Sequence, residues 1–159
     1  MILIRDLRAG EESVLRGLFR GSVHGLAARH YSAEQLDAWA PREYDAQQWC
    51  ALIQGLRPFV AESGGAIVGY ADLQPSGYID HFFVAGAHGG RGVGAALMAH
   101  IQETARQRGI AGLFADVSLS AEAFFTRHGF AVEARKTVVV RGVALRHARM
   151  RRPVAAEPV

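Results

Sequence analysis

Apolar positions change their spacing along this chain, and each change predicts an element. Residues 2 to 5 read as a short strand, after which Val14, Leu15, Leu18 and Phe19 recur at the spacing of one face of a helix that begins near Glu11. Ser32 with Gln35 three residues on predicts a capping box opening a short helix that ends before Pro41, and Asp45 with Gln48 repeats the pattern for a third helix. From Pro58 the period shortens. Phe59 to Glu62 and Ala66 to Leu73 read as two strands around Gly64-Gly65, and Tyr78 to Val84 as a third, so turns this short predict an antiparallel meander.

The period then lengthens again, with Val93, Leu97, Met98, Ile101 and Ala105 marking the buried face of a helix that Gly109 stops. Leu113 to Val117 predicts a buried strand. Ser120 is expected to cap a short helix ended by Gly129, and two long strands, about Ala131 to Val140 and Val143 to Met150, flank Arg141-Gly142. Residues 1 to 150 read as one domain and 151 to 159 as a flexible C-terminal tail.

Composition narrows the class. A chain of 159 residues, 50% hydrophobic, can bury about 70% of its unfolded surface in one core. The single cysteine, Cys50, rules out an internal disulfide, Arg5 and Asp6 interrupt any leader-like apolar start, and no apolar run reaches a membrane span of roughly 20 residues. The chain is therefore expected to be soluble, unprocessed and cytoplasmic. The net charge of +3 comes from 18 basic against 15 acidic residues scattered along the chain, not from a basic stripe with interleaved aromatics, so neither nucleic acid nor membrane is an expected partner. Seven dispersed histidines, with no His-Glu-x-x-His pattern, make no metal set.

The most informative stretch is Gly89-Gly90-Arg91-Gly92-Val93-Gly94-Ala95, set between a strand and an amphipathic helix. Glycines permit positive φ and close approach of a ligand, while the free N–H groups and dipole of the helix start favour an anion, so this turn reads as a diphosphate cradle. A P-loop would need Lys and Ser or Thr after the last glycine, and neither is there. Gly90-x-Gly92-x-x-Ala95 satisfies a loose dinucleotide fingerprint, with Asp116 downstream, but an antiparallel meander precedes it and a single crossover follows.

The turn, with Ala121-Glu-Ala-Phe124-Phe125-Thr-Arg-His-Gly129-Phe130 downstream, resembles the GNAT acetyltransferase superfamily, whose motifs read Gln/Arg-x-x-Gly-x-Gly/Ala and Ala-x-x-Phe-Tyr-x-x-x-Gly-Phe. Val23 to Tyr31 and Leu36 to Pro41 further resemble a YafP-type bacterial subgroup. The resemblance spans nearly all of residues 2 to 150. It implies an α+β fold, with a mixed, mostly antiparallel central sheet flanked by helices, that opens as a V between the strand ending at Val84 and the strand from Leu113. It also implies acetyl-CoA as donor and a small-molecule or peptide amine as acceptor, and it leaves room for a homodimer. Backbone groups of Phe82, Phe83 and Val84 would hold the pantetheine arm, amides from Gly89, Gly90, Arg91, Gly92, Val93, Gly94 and Ala95 the pyrophosphate, and Ser118 and Phe125 would stand beside the cofactor. His30, Tyr31, Trp39 and Tyr78 fall where the family lines its acceptor site.

Acetyl transfer to an amine needs positioning and deprotonation more than a protein nucleophile. Asp80 is the first candidate base and His81 the second, and strand alternation sends them to opposite faces. Phe125 takes the place of the family's tyrosine acid and cannot donate a hydrogen bond. That difference, with Gly89 where the motif has Gln or Arg, leaves a non-catalytic acyl-CoA-binding or sensor domain as the alternative, and a dinucleotide-binding enzyme as a third.

Overall fold

The computed structural model describes residues 1–86 and 92–154. Its elements run β1 (Leu3–Asp6), α1 (Glu12–Leu26), α2 (Ala33–Trp39), α3 (Ala46–Leu56), β2 (Phe59–Ser63), β3 (Ala66–Ala71), β4 (Tyr78–Ile79), β5 (Phe82–Val84), α4 (Val93–Gln107), β6 (Gly112–Ser118), α5 (Glu122–Arg127), β7 (Ala131–Val140) and β8 (Val143–Pro153). Local chemistry explains most of the boundaries. Ser32 and Gln35 close a reciprocal capping box at the start of α2, and Asp45 accepts the amides of both Gln47 and Gln48 at the start of α3. Ser120 does not cap α5: its hydroxyl bonds His30 Nδ1 at 2.9 Å, and Ala121 begins the helix without a side-chain cap.

Two four-stranded sheets form, ordered β1-β2-β3-β5 and β4-β6-β8-β7. Pairing is antiparallel throughout except for β4 beside β6. The expected meander therefore holds for β2, β3 and β5, while the expected strand from Tyr78 to Val84 is cut in two and shared between the sheets. Its physical cause is Asp72, a fully buried carboxylate whose Oδ1 accepts the amides of Asp80 at 2.8 Å and His81 at 2.7 Å. Both donors are thus withdrawn from any ladder, and the chain steps from one sheet to the other at that point. At the other end of the chain β8 runs three residues past the expected Met150, pairing Arg151, Arg152 and Pro153 with Phe114, Leu113 and Gly112.

Two cores position the cleft. One lies beneath α4, where Leu97, Met98 and Ile101 are fully buried against both sheets, with Phe125 and Phe130 completing it. Burying each such aliphatic side chain contributes about 1.5–3 kcal/mol. The other gathers Leu15, Phe19 and Val23 of α1 with Ile53, Val60, Tyr70 and Leu145. Val14, expected on the buried face of α1, is 49% exposed, because the buried stripe runs through Leu15, Phe19 and Val23 and leaves Val14 a quarter turn away.

Candidate active site

The sheets part between β5 and β6, and a cleft of about 540 Å³ opens there. β5 supplies one wall. Ala85 donates to Val68 and His81 accepts from Asp72, so the alternation of an antiparallel ladder turns the N–H and C=O of Phe82 and Val84 away from β3 into the gap. That free edge matches an extended, amide-bearing ligand added as a further strand. β6 supplies the facing wall through Ala115, Asp116, Val117 and Ser118.

The head of α4 closes one end of the cleft. Gly92 sits at φ +81°, a conformation costly to any residue with a Cβ, and its carbonyl accepts the first helical bond from Ala96, leaving the amides of Val93, Gly94 and Ala95 without helical partners. A Cβ at Gly94 would stand 3.0 Å from Phe124 Cε2, so glycine lets the helix start lie directly on α5. Donors without helical partners at a helix N-terminus beside an open sheet edge fit a diphosphate joined to a pantetheine arm, which is the shape of acetyl-CoA. The Val93 side chain itself is buried in the core. Gly89, Gly90 and Arg91 lie outside the described residues.

Asp80 lines the cleft and is exposed, and its carboxylate makes no ion pair among the described residues. His81 lies on the other face of the same segment. Its Nδ1 meets Tyr70 Oη at 2.9 Å, its ring packs against Phe19, Trp49 and Phe83, and burial lowers its pKa, so imidazole is held neutral away from the cleft. Phe83, Trp39, Ser118 and Phe125 all line the cleft, with Phe125 buried among Phe82, Phe124 and Phe130.

Three residues expected at the acceptor site do not line the cleft itself. Tyr31 is buried, and its hydroxyl donates to Arg146 O at 2.6 Å and accepts from Leu119 N at 3.0 Å, which leaves it no capacity for a substrate. Tyr78 donates to Asp116 Oδ2 at 3.3 Å and packs on Phe114, with its hydroxyl pushed up to about 12 by burial and by the Asp116 charge. His30 is exposed at the rim, tied to Ser120. Sequence reasoning missed Asp72, whose short side chain at a strand end carries no pattern of its own. It also missed Asp116 as a structural anion: Arg149 grips it at 2.7 and 3.0 Å and lowers its pKa.

Comparison with known proteins agrees with this fold. Residues 27–152 match the family model described as an acetyltransferase (GNAT) domain. The chain is 30% identical over 141 residues to the uncharacterised N-acetyltransferase YafP of Escherichia coli (strain K12), covering 89% of each protein. Its structure is similar to that of a GCN5-related N-acetyltransferase from Rhodopseudomonas palustris, with a TM-score of 0.91 and 30% identity over 95% of this chain and 94% of that one. YncA of Salmonella typhimurium, solved with its cofactor acetyl-CoA, shares the fold at a TM-score of 0.69 and 22% identity, over 100% of this chain and 97% of that one.

Proposed function

Because the chain belongs to the GNAT acetyltransferase family, and is therefore an acyltransferase that uses acetyl-CoA, we propose that it passes the acetyl group directly to a primary amine of a small molecule or peptide, with Asp80 as general base. The observation that carries this reading is the position of Asp80: a carboxylate in the cleft with no ion pair among the described residues, fixed by its own amide to buried Asp72 at the step between the sheets.

When bound, acetyl-CoA supplies an activated thioester. The chain's own residues position and deprotonate. The outward N–H and C=O groups of Phe82 and Val84 align the donor along β5, and the amides of Val93, Gly94 and Ala95 neutralise the diphosphate. An acceptor ammonium entering opposite the donor loses its proton to the Asp80 carboxylate, directly or through one water, which frees the lone pair for attack. Phe125 seals the thioester end with an apolar ring and gives no proton, so turnover relies on a departing thiolate whose pKa, about 8.5 for a free cysteine-type thiol, makes it a tolerable leaving group. Holding the two reactants in line supplies the larger share of the rate.

Thiol release across a panel of amines tests the proposal. Asp80→Asn should lower kcat by about 10²-fold or more while acetyl-CoA affinity is kept. Unchanged turnover in that variant removes Asp80 as the base. Phe125→Tyr, which restores a donor, should leave the pH profile of the Asp80-dependent step in place.

A further inference from the structure

α1 carries more positive charge into the protein than any carboxylate among the described residues answers. Arg16, Arg20, Val23 and Ala27 are spaced i, i+4, i+7 and i+11 and so share one stripe of the helix, roughly 16 Å long at 1.5 Å per residue. The C-terminal half of that stripe, Val23 and Ala27, lines the cleft, and Arg20 and Arg16 stand on the same stripe about one and two turns nearer the helix start. Arg16 is 7% exposed. One of its terminal nitrogens donates to Pro41 O at 2.6 Å, while its Nε is buried with no partner among the described residues, and the Nε of Arg20 is buried in the same state.

Arg141, at the turn between β7 and β8, adds a third cation within electrostatic reach of Arg16 and is steadied by Ala38 O at 2.7 Å. None of the three makes an ion pair among the described residues; the nearby Asp37 instead approaches His24 at 3.8 Å. Arg16 lies over the rings of Tyr44, Trp49 and Phe19 at 4.3, 5.1 and 5.3 Å, which offsets part of its desolvation, yet burial and the neighbouring arginines still lower its pKa. A guanidinium held buried with an empty donor is costly unless an anion completes it.

The same rings lead to the chemistry. Trp49 stacks on Phe19, Phe19 meets Phe83 at 4.9 Å, and Phe83 lines the cleft beside Asp80. Resting on the reading of that cleft as an acetyl-transfer site, we infer that Arg16, Arg20 and Arg141 form an oxyanion subsite, and that the acceptor is a small amine carrying a carboxylate or phosphate, its anionic end held by these arginines while its amine reaches Asp80. Arg16 is the floor of the subsite, and half-buried Arg20 with exposed Arg141 are its entrance.

Paired acceptors test this. β-Alanine against β-alaninamide, and phosphoethanolamine against ethanolamine, change the anion and keep the amine, and the two pairs separate carboxylate from phosphate. The charged member of at least one pair should show a kcat/KM higher by about tenfold or more, and Arg20→Gln should collapse that ratio while the neutral member's rate stays within about twofold. Equal rates within both pairs overturn the inference and leave acetyl transfer standing. A second measurement needs no turnover. With coenzyme A saturating, so that the α4 end is filled, sodium phosphate at matched ionic strength should raise the Tm of the wild type and not of Arg20→Gln. A melting temperature indifferent to phosphate in both proteins, with no preference for β-alanine over β-alaninamide, overturns the inference.

Discussion

Asp72 is the residue on which the site's geometry turns, and its titration makes that role measurable. Burial raises its carboxyl from 3.8 to about 6, against the amides of His81 and Asp80 and the Gln74 side chain, which favour the anion. A carboxyl whose pKa is raised on folding takes up protons in the native state. Its contribution to stability is therefore complete below about pH 4, declines as pH rises, and is gone above about pH 6. The shift corresponds to roughly 3 kcal/mol. Urea unfolding at pH 4 and pH 7 should show wild type losing about that much relative to Asp72→Asn, whose amide oxygen still accepts both backbone donors but does not titrate. Parallel pH profiles for the two proteins would refute the assignment. Reading the sequence alone placed Asp80 and His81 on opposite faces by strand alternation but did not show the break between the sheets there, whose cause lies eight and nine residues upstream in a side chain that looks like any strand-end aspartate.

At the scale of elements, the acceptor side of the cleft depends on how the α1–α2 connection is tied to the second sheet. Tyr31 makes that tie, since one hydroxyl joins β8 at Arg146 and the β6–α5 loop at Leu119. Gln35 adds a bond from α2 to Ala144 O at 2.9 Å. Tyr31→Phe keeps the ring against Trp39 but removes the hydroxyl from the part-buried Arg146 carbonyl and Leu119 amide, and should cost about 1 kcal/mol in a denaturant titration. Trp39, carried by the same helix, lines the cleft, so KM for the acceptor should rise more than KM for acetyl-CoA. An equal rise in both would mean that the tie supports the whole fold instead of this wall.

For the whole molecule, the two sheets are held apart along β5 and β6, and a donor that bridges them should lock them together. Acetyl-CoA or coenzyme A at 100 times its Kd should add about 2.7 kcal/mol, or roughly 5–10 °C in Tm for a domain of this size, while NAD should add nothing. No helix among the described residues is long and apolar enough to cross a membrane. The dinucleotide alternative fails on architecture: one crossover through α4 follows an antiparallel meander, and the sheets are not doubly wound.

What the sequence by itself determined were features whose causes sit within a few residues of their effects. The caps of α2 and α3, the buried stripe Val93, Leu97, Met98, Ile101 and Ala105, the glycine start of α4 and the β7–β8 hairpin all follow from local spacing and local hydrogen bonds. Tertiary structure alone decided the break at Asp80, the burial of Tyr31 and the enclosure of Arg16. The first depends on a carboxylate eight residues back, and the others on partners distant along the chain, 115 residues away for Tyr31 and Arg146 and 25 for Arg16 and Pro41, and desolvation acts only once those partners have met.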